Sequence, residues 1–133
     1  MKALRAVFLL HGLITLAGAV VLFVFPTAIP SAVGIEMSRP EYLLAYLTGA
    51  AELAVSVLSF GAVRITDWAA VRLIVTTVVV LHATSGLIDI VYMAQTEPNT
   101  TLISNTVLRF VVVAVFLVVF WAARRHQTPG TSR

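Results

Sequence analysis

The chain has 133 residues, 59% of them hydrophobic and 11% charged, where ordinary soluble domains run about 45–50% apolar and about 25% charged. That balance excludes a water-soluble globular domain. A net charge of +3 with no basic face carrying interleaved aromatics excludes nucleic acid as a partner. With no cysteine in the chain, a thiol–disulfide relay, a Cys-ligated zinc and an iron–sulfur cluster are excluded together.

Four apolar runs follow in chain order: Ala6 to Phe25, Tyr42 to Val63, Leu73 to Met93 and Ile103 to Ala123. Each reaches the roughly 20 residues that cross a hydrocarbon layer of about 30 Å at about 1.5 Å per residue. Lys2 and Arg5 before the first run resemble the start of a signal peptide, but the run exceeds an h-region of about 7–15 residues and no A-x-A site follows, so it is read as a span. Pro26 ends span 1, and Pro26, Pro30 and Pro40 with Ser31, Gly34 and Ser38 make a turn-rich connection. Ala28-Ile29 and Ala32 to Ile35 keep that connection apolar, as a segment resting among headgroups would be. Arg64 to Trp68 is short enough to predict antiparallel neighbours in spans 2 and 3, with Trp68 as an interfacial anchor. Glu97 to Thr101 forms the third turn. Its Asn99-Thr100-Thr101 fits a glycosylation pattern, read as an unused match so close to the membrane. His126 to Arg133, containing Pro129-Gly130, reads as a frayed tail. The expectation is one domain over residues 1–133, an all-α integral membrane four-helix bundle.

Basic residues set its orientation, because Lys and Arg resist translocation. Lys2, Arg5, Arg64, Arg72, Arg124, Arg125 and Arg133 fall on one side, and Arg39 alone on the other beside Glu36, Glu41 and Glu97. Both termini are therefore expected in the cytoplasm (N-in, C-in), the membrane being the cell membrane in a prokaryote.

Ionisable residues inside spans are costly, about 2.5–3.5 kcal/mol each on insertion scales, and so face other helices. From the span midpoints, Glu52 and His82 lie near the midplane, His11 roughly 7 Å toward the cytoplasm, and Arg109 and Asp89 roughly 6 Å and 9 Å outward. Two clusters follow: Glu52 with His82 and His11, and an ion pair of Asp89 with Arg109. Helical spacing aligns Thr48, Glu52, Ser56 and Ser59 in span 2, His82, Ser85, Gly86 and Asp89 in span 3, and His11, Thr15 and Gly18 in span 1, while Asn105 lies one turn before Arg109. A polar interior and an apolar, lipid-facing outside are expected. The candidate ligand-binding set is Glu52, His82, His11, Ser85, Thr48 and Ser56, and Asp89–Arg109 is read as structural. No catalytic set and no metal site are evident.

Thr48-Gly49-Ala50-Ala51-Glu52-Leu53-Ala54, followed by Ser59-Phe60-Gly61, resembles the glutamate-bearing second helix of the DoxX-like family of small four-helix membrane proteins. Phe25-Pro26, Pro30 and Gly34-Ile35 resemble the Pro-rich first loop of related small domains. The resemblance implies a four-helix bundle with Glu52 inside, in a functionally diverse family with links to quinone-coupled sulfur oxidation and oxidative-stress complexes. His11 and His82 are not part of the motif.

The preferred reading is a non-enzymatic binding or accessory protein that holds a small amphipathic ligand, or docks a membrane-complex partner, at its polar interior. Two alternatives stand beside it. One is a proton-coupled small-molecule transporter working as a homodimer through Glu52. The other is a redox subunit, with His11 and His82 on haem or Glu52 and His82 on a quinone. The preferred reading needs no cofactor.

Overall fold

A computed structural model describes residues 1–97 and 99–125; Pro98 of the third turn and the tail from His126 to Arg133 lie outside the described residues. The described chain is helical without strands: α1 (Lys2–Val24), α2 (Ala28–Ala32), a 3-10 turn (Arg39–Glu41), α3 (Tyr42–Ala62), α4 (Trp68–Met93) and α5 (Thr100–Arg125). Helices α1, α3, α4 and α5 are each long and apolar enough to cross a membrane.

All but α3 extend beyond the apolar runs. The extra turns carry Lys2 and Arg5 on α1, Arg72 on α4, and Arg124 and Arg125 on α5. Apolar runs mark hydrocarbon, but a helix continues as long as its backbone groups gain by pairing internally, and long basic side chains reach back to the headgroup layer. Local chemistry sets the starts. Asp67 caps α4, its carboxylate accepting from the N–H of Ala69 at 3.3 Å and of Ala70 at 2.9 Å. Asn99 Oδ1 accepts from Leu102 N–H at 2.8 Å at the start of α5. Before α3, the Glu41 carboxylate accepts from both the hydroxyl and the N–H of Ser38. Gly34 leaves α2 at φ +82, a conformation that would strain any side chain, and it lies against the Asn99 amide. Asn99 Nδ2 also reaches the Ala32 carbonyl at 3.5 Å, so the side chain of the glycosylation pattern is occupied by the fold.

The helices pack as two hairpins. α1 lies mainly on α3 and α4 mainly on α5, while α1 also touches α5 and α3 only brushes α4. Spans 2 and 3, expected as neighbours, are thus adjacent in chain but weakly joined in space. Small residues decide this. Gly12 accepts the Phe60 ring, where an added Cβ would come within 2.8 Å; Gly49 accepts Leu22 and Phe23; Gly86 accepts Phe110, with 2.9 Å to an added Cβ. Without a hydrophobic drive between helices in lipid, such close backbone approach is what selects partners.

The two hairpins meet most fully at the end where α1 begins and α5 finishes. Leu4, Phe8, Ala62, Val71, Ile74, Val75, Val78, Phe116 and Phe120 form one apolar cluster there, with Phe8 and Phe116 at 5.3 Å between ring centroids and Trp68 on Phe120 at 5.8 Å. This corrects the expectation of a polar interior throughout. Helical periodicity identifies the inward face but not what each level of that face meets, and at this end the inward residues are apolar on all four helices.

Candidate functional site

Above the apolar cluster, the inward faces turn polar. α1 contributes His11 and Thr15, α3 Glu52, Ser56 and Ser59, α4 His82, Ser85 and Asp89, and α5 Asn105, Thr106 and Arg109. The floor is the Phe116 ring, perpendicular to His11 at 5.3 Å.

His11 is the buried centre, 5% exposed. Its Nδ1 lies 2.8 Å from Ser59 Oγ, and its Nε2 lies 2.8 Å from His82 Nε2, the two imidazoles meeting nearly at right angles. A nitrogen–nitrogen contact of this length needs one N–H and one lone pair. Two tautomeric settings satisfy it. In the first, the Ser59 hydroxyl donates to His11 Nδ1 and His11 donates to His82. In the second, His82 donates to His11 and His11 Nδ1–H donates to Ser59. The two settings differ in tautomer, a neutral His82 carrying its proton on Nδ1 in the first and on Nε2 in the second. In both, His82 Nδ1 is buried without a partner. With the two Nε2 atoms facing each other, haem ligation by this pair would first have to break their bond, and among the described residues no three His, Cys, Asp or Glu side chains gather as a metal site would require.

A second centre is built on Asp89. Its Oδ2 accepts from Arg109 Nε at 3.0 Å, from Thr106 Oγ1 at 3.3 Å and from Asn105 Nδ2 at 3.4 Å. Glu52, half-buried in the middle of α3, has no hydrogen-bond partner among the described residues.

The structure therefore regroups the candidate residues. Asp89 and Arg109 come together across α4 and α5. His82 meets His11 and not Glu52. Ser56, fully buried, donates to the Gly12 carbonyl at 2.9 Å and ties α3 to α1. Thr48 is exposed and donates to its own helix at Leu44 O, 2.8 Å away. Ser85 stays half-buried one turn from His82. Two partners escape a reading of the sequence. Thr106 follows Ser104 and Asn105, and its position one turn before Arg109 does not by itself distinguish it from them as a partner of Asp89. Ser59 lies on the aligned stripe, but only a contact identifies it as the orienting group of His11.

Neither a family model, nor a curated protein, nor a solved structure matches this chain, so the functional reading rests on the site itself.

Proposed function

We propose that the protein is a multi-pass membrane protein, DoxX-like in architecture, with both termini in the cytoplasm, and that it binds a small amphipathic ligand at the polar level between its hairpins. Glu52 carries this reading. Every other ionisable side chain at that level has a hydrogen-bond partner, whereas this half-buried carboxylate has none among the described residues. A polar group at bilayer depth is expensive when unsatisfied, so a ligand that offers a donor or a charge stabilises the site as it fills it. The glutamate-bearing motif of α3 and the distribution of basic residues toward the ends of α1, α4 and α5 support the same architecture.

Purification in mild detergent, followed by native mass spectrometry and an absorption spectrum, tests it. The wild-type protein should retain a small-molecule adduct that Glu52→Gln, with the size kept and the charge removed, loses without a comparable loss of thermal stability. If Glu52→Gln and His82→Gln both keep their ligand content and lose only stability, the polar level is structural and the reading fails.

A further inference from the structure

The charges at the polar level do not balance. α3 brings one carboxylate to this level, Glu52, and α4 another, Asp89, while α5 brings a single guanidinium, Arg109. Arg109 gives its Nε to Asp89 at 3.0 Å, and Asn105 and Thr106 add two further donors to the same carboxylate oxygen. The other titratable groups at this level are His11 of α1 and His82 of α4, each occupying the other's Nε2. With both imidazoles neutral, the level carries one negative charge in excess, and it belongs to Glu52. An uncompensated carboxylate is not sustained at bilayer depth: either a proton or a cation must neutralise it.

We propose that the ligand is a lipophilic monovalent cation that exchanges with a proton at Glu52. In the resting site the carboxyl holds the proton. On binding, its O–H bond breaks, the proton leaves to water and the carboxylate becomes the counter-ion of the ligand, so charge is unchanged inside the protein. This rests on the reading of Glu52 as a binding group and names its ligand class. A hard inorganic cation fits poorly, because it asks for many oxygen ligands at short distance. Here the helix backbone carbonyls are spent on helical bonds, and the nearby hydroxyls of Ser56 and Ser59 already serve Gly12 O and His11. A weakly hydrated organic cation asks only for one counter-ion and apolar surroundings, and the helices that carry these groups are predominantly apolar.

The probe is tetraphenylphosphonium, titrated calorimetrically into the protein in lipid nanodiscs, with proton release followed in weakly buffered solution. Saturable binding is expected, with one proton released per cation, weaker at lower pH because the proton competes, and not displaced by neutral triphenylphosphine oxide. Glu52→Gln should weaken it about thirtyfold or more, as loss of a buried charge partner does. Asp89→Asn should weaken it as well, because Arg109 is then free to pair with Glu52. Helical circular dichroism confirms that each variant is folded. Binding by folded Glu52→Gln within a few-fold of wild type, binding by Asp89→Asn equal to wild type, absent proton release, or equal binding of the neutral compound overturns the proposal. If the phosphonium does not bind while a co-purifying molecule is still lost with Glu52→Gln, the cation class is wrong and the binding reading stands; if neither is seen, both fall.

Discussion

At the residue scale, the strongest interactions are polar contacts whose worth depends on what replaces them. Asp89 and Arg109 are partly exposed, at 18% and 26% of their side chains, so solvent screening discounts the pair relative to a dry one. Removing one partner still leaves a charge among helices. Asp89→Asn or Arg109→Gln alone should cost about 1–3 kcal/mol, and the double variant less than the sum of the singles. Thermal unfolding in detergent measures this, and strictly additive losses would mean that the side chains do not couple. The histidines rank differently. His11→Gln loses contacts to both Ser59 and His82, whereas His82→Gln loses one, and interhelical hydrogen bonds in membranes average about 0.6 kcal/mol. His11→Gln should therefore melt lower than His82→Gln. The reverse order would remove His11 from the centre of the network.

At the element scale, partner choice is made by glycines that admit rings. Phe110 lies where a Gly86 side chain would be, and Phe60 where that of Gly12 would be. Gly86→Val should push α4 from α5 and cost about 1–3 kcal/mol, the usual range for overpacking. Val91→Leu, at an exposed position 58% accessible, should cost almost nothing. Unfolding in a mixed detergent titration distinguishes the two, and equal effects would argue against close packing at Gly86. The sequence shows that these glycines lie on polar or small-residue stripes. It does not show which ring fills each one, because Phe60, Phe110 and Phe116 read alike as lipid-facing aromatics until the helices are paired. For the same reason the stripe through Thr48 looks uniform by period, although only its Glu52, Ser56 and Ser59 portion is covered in the fold.

At the scale of the whole molecule, the apolar cluster of Phe8, Phe116, Phe120 and their neighbours lies between the polar level and the end where α1 begins, while toward the other end the buried apolar residues among the described ones are the smaller set Ala19, Leu22, Ala45 and Leu102. Access past the larger cluster is expected to be the more hindered. Because the chain has no cysteine, each introduced thiol is unique. In sealed vesicles, a membrane-impermeant thiol reagent should label Ser85→Cys only from the face opposite the C-terminus, and should not label Val75→Cys, within the apolar cluster, from either. Labelling of Ser85→Cys from the face of the C-terminus would mean that the cluster does not seal. Reporters fused at the C-terminus and inserted near Asn99 should lie on opposite faces, and finding both on one face would overturn the N-in, C-in layout.

Composition and periodicity determined the number of long helices, their inward faces and the ionisable residues those faces carry, because hydrocarbon thickness and the cost of buried charge act on each helix separately. They were enough to join Asp89 to Arg109, since the pair needs only two consecutive helices and a short turn. Which hairpins form, which level is dry, and that His82 turns to His11 while Glu52 is left open were decided by the tertiary structure. These depend on how closely particular backbones approach at Gly12, Gly49 and Gly86, and a distance between helices has no period along any one of them.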